Sequence, residues 1–373
     1  MKSKGKLFIS GVIIVGCLAM PLWGQTNAPL QSVGDRQVQT EPAQALSKSS
    51  SDDPIEWVKS ATKKYSPASW ELLMKYESMP AEIEGQRKGW WTVTMKKPLS
   101  TFDHLSGGHK KIDLIDQMAL NIRVVDLALQ RHDFFRYAQE QKWPLDWDNA
   151  EVLIQAPPDG SHFISFPLKH LFPSVQLVDV IPKDRQSFFF DTYIKGGSIT
   201  QRFGVIGLLE EYRGYYAGSK YYYDMLDAYK TIEASETDGF FEWARSSQST
   251  MGAFYELDYF IREYLLYMKK NRPADYDALK SYRPFVEALR DVRAAYEKLV
   301  DQYWSTINAE VKRLEEVDRS RIGLDRNGLL WIKSKMGKDI TGTFIIPDRE
   351  KLVAILNSDR YRDVKMDFPK AVR

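Results

Sequence analysis

Thiols and imidazoles are scarce in this chain: Cys17 is the one cysteine among 373 residues, and there are five histidines. Cys17 falls within the first 24 residues, so a chain shortened by that segment has no disulfide and no thiol chemistry. His104, His109, His132, His162 and His170 follow no metal-ligand spacing, H-E-x-x-H is absent, and no E-x-x-H stands on a candidate helix. Zincin and di-iron bundle templates both fail on these spacings, and no metal or cofactor is expected. The G-x-S-x-G elbow, the P-loop and G-x-G-x-x-G are missing too. So is any excess of charge: 52 Lys and Arg stand against 50 Asp and Glu, a net +2 that includes Lys2, Lys4 and Lys6. A chain this close to neutral has no electrostatic basis for binding nucleic acid. Beyond residue 24 no apolar run reaches the about 20 residues that a membrane helix requires. Self-similarity at solenoid period is also absent.

What the chain does have begins at its N-terminus. Three lysines precede an apolar stretch from Leu7 to Leu22, and Gly24 offers a small residue before polar Gln25-Thr26-Asn27. This is the pattern of a signal peptide over residues 1–24. It predicts export to the periplasm or the exterior, with the mature chain starting near Gln25. Ile14-Val15-Gly16-Cys17 offers an alternative, a lipobox whose lipidated Cys17 would anchor the protein to a membrane. Against it, Leu18 to Trp23 stay apolar where a lipoprotein turns polar. Residues 25–53, with the run Ser47-Lys48-Ser49-Ser50-Ser51-Asp52-Asp53, lack apolar periodicity and predict a disordered linker.

Residues 54–373 carry the patterns of one large domain, mainly α with small β parts (α+β). Ile55, Trp57, Val58 and Ala61 suggest a short helix, and Ser66 with Pro67 opens a second one to about Ser78. A short strand follows a Gly85–Gly89 turn over 90–95. Ile115, Met118, Ile122, Val125 and Leu129 recur every three or four residues along a helix over 111–141, which Pro144 stops. Over 150–195 the period changes. Val152–Ile154, His162–Phe166 and Val175–Val178 are β-prone, and prolines at 157, 158, 167, 173 and 182 interrupt them, so a small irregular β insert is expected. Helices return over about 198–233 and 239–270. After Pro273 a further helix begins near Pro284 and runs to Val317, with Leu289, Val292, Tyr296, Leu299, Tyr303, Ile307, Val311 and Leu314 as its buried stripe. Over 320–360 a C-terminal hairpin-like pair (329–333 with 341–346) and a short helix capped by Asp348 complete the reading. The 20 Tyr, 18 Phe and 10 Trp point to a core of large side chains, with stacking platforms for sugar or peptide ligands as the functional alternative.

One helix departs from ordinary composition. Gly204, Gly207, Gly214 and Gly218 fall within about 80° of its circumference, at a cost of about 1 kcal/mol each relative to alanine. Glu211 sits in the middle of that stripe. The opposite face, with Val205, Leu209, Tyr212, Tyr216 and Tyr223, is also apolar, which leaves Arg202, Arg213 and Lys220 as a solvated strip and Glu210 on the flank. A helix apolar on two faces is central, so Glu211 is expected to be buried in a crevice where a backbone or a ligand comes close. A buried carboxylate must be paired, metal-bound or protonated. Two readings stay open: an ion pair with an arginine of a neighbouring helix, or a site carboxylate acting as metal ligand or general acid/base. In the next helix Gly252, Glu256, Tyr259, Glu263 and Tyr267 share a face. The plainer reading is a solvated Glu/Tyr surface. Antiparallel packing would instead bring Glu256 or Glu263 toward Glu211.

These features predict an exported envelope protein that binds an unidentified small molecule, glycan or protein without catalysis. Gly207, Gly214, Tyr215, Glu256 and Glu263 are its candidate binding residues. The alternative is a hydrolase of cell-wall glycan or peptide with Glu211 as its catalytic group.

Overall fold

The computed structural model describes residues 53–369 apart from 88–90, 97–101, 103–104, 106–109, 143–145, 147, 157–159, 198, 233–235, 319–321, 325–329 and 333–348. The expected signal segment with Cys17, nearly all of the linker, His104, His109, Asp348 and the run 341–346 lie outside the described residues.

Helices dominate, joined by small antiparallel hairpins. Asp53 accepts the Ile55 amide at 2.9 Å and Pro54 occupies the first turn, so α1 (Pro54–Tyr65) starts where its unpaired N–H groups find a partner. Pro67 opens α2 (Pro67–Glu77) in the same way. Ser66 stands at the expected cap position, but its hydroxyl goes to Ser69 and Asp224, each at 2.8 Å. A hairpin of β1 (Glu82–Arg87) and β2 (Trp91–Lys96) takes the place of the lone strand expected over 90–95, and Gly85 pairs with Val93 inside it. The helix α3 (Lys111–Glu140) has its apolar stripe buried, and Arg123, Asp126, Gln130, His132 and Asp133 are buried as well. It ends where the Gln141 amide reaches the Tyr137 carbonyl at 2.9 Å and Lys142 turns the chain at φ 52°.

The insert is more regular than its prolines suggest. β3 (Asn149–Ala156) and β4 (Gly160–Pro167) form an antiparallel hairpin with Asn149 opposite Pro167 and Ala156 opposite Gly160. Pro167 closes β4, so it interrupts no ladder beyond it. Ala150, Val152, Ile154 and Ala156 alternate into the core. The β-prone run 175–178 is instead part of a 3-10 turn, Ser174–Leu177, behind Pro173. Ser174 and Leu177 are its two buried residues, a spacing of three that suits this tighter helix. The Ser174 hydroxyl donates to the Tyr193 carbonyl at 2.9 Å.

The single turn α4 (Phe188–Phe190) widens into a π turn over Asp191–Lys195. The helix expected over 198–233 is three pieces. A 3-10 turn (Ile199–Phe203) leads into α5 (Gly204–Asp224), and Met225 separates α5 from α6 (Leu226–Ile232). Gly204 enters α5 at φ 54°, a conformation that glycine adopts without a steric penalty. α7 (Glu236–Asn271), α8 (Pro273–Ser281) and α9 (Arg283–Asp318) follow. Every residue of the expected α9 stripe is buried. β5 (Ile322–Leu324) pairs with β6 (Leu330–Ile332). Among the described residues 330–332 therefore pairs with the segment before it; the run 341–346, its expected partner, lies outside them. The short helices α10 (Arg349–Asn357) and α11 (Arg362–Asp367) dock on α7.

α5 is the central element, with α3, α7, α9 and β3 all packed against it. One apolar cluster extends from Val58 to Phe368. Much of the aromatic content is in it: Trp243, Tyr212, Tyr221, Tyr229, Tyr264, Tyr296 and Tyr303 are wholly buried. The polar ends of several of them find backbone partners. The Tyr303 hydroxyl donates to the Ser219 carbonyl at 2.6 Å, the Tyr264 hydroxyl to the Phe172 carbonyl at 2.8 Å, and the Trp243 N–H to the Tyr222 carbonyl at 2.6 Å.

Candidate functional site

Glu211 lies midway along α5 and is 3% exposed. Thr200, in the turn before the helix, donates its hydroxyl to Oε1 at 3.1 Å. From α3, Arg123 brings a guanidinium nitrogen to 3.6 Å from Oε2. Arg123 is itself fixed on two further sides. It donates to the Tyr193 hydroxyl at 2.6 Å, and its guanidinium carbon stands 3.8 Å from the centre of the Tyr215 ring. The Tyr193 hydroxyl in turn donates to the Tyr215 hydroxyl at 3.0 Å.

The glycines account for this close packing. A Cβ on Gly214 would stand 3.1 Å from Arg123 Cγ, and one on Gly218 would stand 3.3 Å from the Ala119 carbonyl oxygen. These two glycines bring α3 onto α5. A Cβ on Gly207 would overlap the Thr200 carbonyl, so Gly207 lets the preceding turn fold back over the helix. Gly204 differs from the others. It is the first residue of α5, with the Tyr264 hydroxyl and the Phe172 carbonyl where a side chain would go.

Two more ion pairs cross the same seam: Arg131 to Glu210 at 3.1 Å, and Arg213 to Asp126 at 2.9 Å. Both correct the sequence reading, for Glu210 is 1% exposed rather than on the flank and Arg213 is 7% exposed rather than solvated. Arg213 also donates to the Gln155 carbonyl at 2.5 Å, and Gln130 donates to Asp126 at 2.7 Å. Of the expected solvated strip, Arg202 is exposed and Lys220 half-buried. Burial pushes the carboxyls of Glu211 and Asp126 above their ordinary values, and Arg123 and Arg213 pull them part of the way back.

On α7, Glu256 receives the Ser187 hydroxyl. Glu263 is bound by Arg360 at 2.8 Å and by the Tyr361 hydroxyl. Glu263 and Tyr259 are buried, not on a solvated face, because the C-terminal segment docks there. Tyr215, Gly207 and Gly214 thus gather around Glu211, while Glu256 and Glu263 engage residues elsewhere. A further buried charge group has little sequence signal beyond an i, i+4 spacing. Asp258 is held by Arg262 at 2.6 Å and by Arg293 at 2.8 Å. Burial pushes its carboxyl up, but the two guanidiniums outweigh this and hold it below the ordinary range.

His162 contacts Asp291 at 3.0 Å and His170 contacts Asp275 at 2.7 Å. No cluster of three or more His, Cys, Asp or Glu is arranged to hold a metal among the described residues. Nor is any helix among them long and apolar enough to cross a membrane. His132 is different from the other described histidines. It lines a cleft of about 310 Å³ between α2 and α3, together with Lys75, Ser78, Met79, Pro80, Arg136 and Gln139. The sequence offers one sign of it, since His132, Arg136 and Gln139 fall on one helical face.

No family model, no curated protein and no solved structure matches this chain.

Proposed function

We propose that this is an exported protein of the bacterial envelope that binds a ligand or partner through its helical domain and catalyses no reaction. One observation carries the reading: Glu211, the carboxylate singled out for chemistry, is enclosed between Arg123 and Thr200 and does not line the cleft. A general acid needs reach to its substrate, and an enclosed carboxylate paired with an arginine has the character of an architectural group. Export itself rests on the pattern of residues 1–24.

The experiment is an activity screen of wild type and Glu211→Gln on cell-wall glycan and peptide substrates, with metal analysis of the purified protein. The expected result is no turnover by either. Turnover that disappears in Glu211→Gln establishes the hydrolase reading instead, in which a carboxyl raised by burial serves as the acid. N-terminal sequencing of the natively exported protein is expected to give a start at or near Gln25, and a lipidated Cys17 or a retained Met1 would overturn that part.

A further inference from the structure

The cleft between α2 and α3 has a lining of one kind. Lys75, paired with Asp133, and Arg136, paired with Glu140 at 3.5 Å, bring cationic donors, Ser78 and Gln139 bring a hydroxyl and an amide, and Met79 with Pro80 forms an apolar wall. Among the described residues no carboxylate lines it. Two helices end nearby, and a helix C-terminus carries partial negative charge that would repel an anion. Several of those carbonyls are already engaged. The Ser78 amide reaches the Met74 carbonyl at 3.0 Å, the Ser78 hydroxyl donates to the Lys75 carbonyl at 2.7 Å, and the Met79 amide reaches the Tyr76 carbonyl at 3.1 Å. At the end of α3 the Tyr137 and Gln139 carbonyls are taken by the amides of Gln141 and Lys142.

His132 is the buried member, with its side chain 7% exposed. Its Nδ1 stands 3.5 Å from Asp133 Oδ1, too far for a good hydrogen bond, and its Nε2 has no hydrogen-bond partner among the described residues. Both ring nitrogens are closed to solvent and without a partner among those residues, and a buried polar atom in that state beside a cleft is one that a ligand atom reaching it would satisfy. The cleft volume falls at the small end of the range for ligand sites, about 300–1,000 Å³.

We infer that this cleft binds a small oxyanion, a ligand with a carboxylate or phosphate headgroup, through His132 Nε2, the Arg136 guanidinium and the Lys75 ammonium. The inference rests on the reading of the chain as a binding protein and names its site and ligand class. Asp133 lies beside the site, its Oδ2 held by Lys75 at 2.5 Å and by Gln155 of β3 at 3.0 Å, so a bound anion shares the Lys75 ammonium with it. The groups that face His132 are Lys75 from α2 with Asp133 and Arg136 from α3. Burial holds the imidazole neutral below its ordinary protonation range, with Arg136 and Lys75 adding to that effect and Asp133 opposing it. A bound anion reverses the balance and draws a proton onto the ring, so binding and protonation are coupled.

The test is an imidazole NMR titration of the full exported chain with inorganic phosphate alone and with acetate alone, the His132 resonance being assigned by its loss in His132→Gln. The expected result is a saturable shift of the His132 resonance, a higher His132 titration midpoint at saturation, and an affinity that strengthens by up to about tenfold per pH unit on acidification through that midpoint. Arg136→Gln, whose side chain is 59% exposed and whose loss does not threaten folding, should abolish the saturation. Saturation by phosphate only, or by acetate only, assigns the headgroup. A His132 resonance that neither anion moves, or that Arg136→Gln leaves equally responsive, overturns the site. A silent His132 in a protein that binds an envelope ligand elsewhere removes the cleft alone. Turnover lost in Glu211→Gln removes the binding-protein reading and leaves the cleft result intact.

Discussion

Gly207→Ala is the most informative single perturbation of the α5 seam, because the three interior glycines face different obstacles. Alanine gains up to about 1 kcal/mol of helix propensity at each position. At Gly207 the new methyl would overlap the Thr200 carbonyl, a backbone atom that no side-chain rotation can move. Relief requires a shift of the whole Ile199–Phe203 turn, at an overpacking cost of about 1–3 kcal/mol. That shift also loosens the Thr200 hydroxyl from Glu211, a hydrogen bond to a carboxylate worth about 1.5–3 kcal/mol. The net expectation is a loss of roughly 1.5–5 kcal/mol. At Gly214 the obstacle is Arg123 Cγ at 3.1 Å, part of a flexible chain that can yield by a few tenths of an ångström. Propensity and crowding nearly cancel there, and Gly214→Ala should fall within about 0.5 kcal/mol of wild type. Gly218→Ala, facing the Ala119 carbonyl oxygen at 3.3 Å, belongs with Gly214→Ala. Urea unfolding at constant slope measures all three, with Gly207→Ala alone displaced to a clearly lower midpoint. A Gly207→Ala midpoint at or above wild type, or three equal midpoints, would refute the reasoning about what each glycine accommodates.

Burial raises the Glu211 carboxyl above its ordinary 4.5, so the folded state holds that proton more tightly than the unfolded chain and ionisation subtracts stability as pH climbs through the interval. Glu211→Gln cannot ionise; urea titrations at several pH values should find it level with wild type at about pH 4 and level or more stable at about pH 7, and a deficit that grows with pH reverses the sign. Asp258 is the opposite case: its folded value lies below the ordinary 3.8, so its contribution is present above that pH and fades as pH falls through the folded value. Asp258→Asn leaves Arg262 and Arg293 buried without their counter-charge and should cost about 3–5 kcal/mol at neutral pH, a gap that closes in strong acid. Phe368→Ala removes an aromatic that meets Tyr276 and Phe285, at a cost of up to about 3–5 kcal/mol. Amide exchange should quicken in α10 and α11 well before α3 and α5, whereas uniform acceleration would show that the C-terminal helices do not open as a separate unit.

The parts of the fold legible from sequence are those governed by local periodicity. The α9 stripe from Leu289 to Leu314 and the α3 stripe from Ile115 to Leu129 are buried as their spacing implies, because a helix that packs on one side must repeat its apolar residues every three or four positions. Pro54 and Pro67 mark helix starts for an equally local reason, the missing N–H of the first turn, whereas Pro273, read as a break in the pattern, opens the short α8 that the periodicity does not predict. The 175–178 run shows the limit. Its residues favour a strand, yet a strand needs a partner, and the i, i+3 burial of Ser174 and Leu177 is met by a 3-10 turn instead.

At the candidate site the sequence by itself determined that α5 is central, that its glycines lie on one face and that Glu211 stands among them, since all three follow from the angular spacing of residues on a helix. Which cation meets which carboxylate was decided only by the tertiary structure. Arg123 to Glu211, Arg131 to Glu210 and Arg213 to Asp126 are pairings between α3 and α5, set by the register in which two helices from distant parts of the chain lie together. The burial of Glu210 and Arg213 was decided there too. Periodicity gives the relative orientation of a helix's faces and not how many of them will be covered, and α5 is packed by α3, α7, α9 and β3 at once. His132 carries the same lesson, because its buried ring without hydrogen-bond partners among the described residues lies beside Asp133, which Lys75 and Gln155 hold where α2, α3 and β3 converge, a meeting of segments that no local spacing encodes.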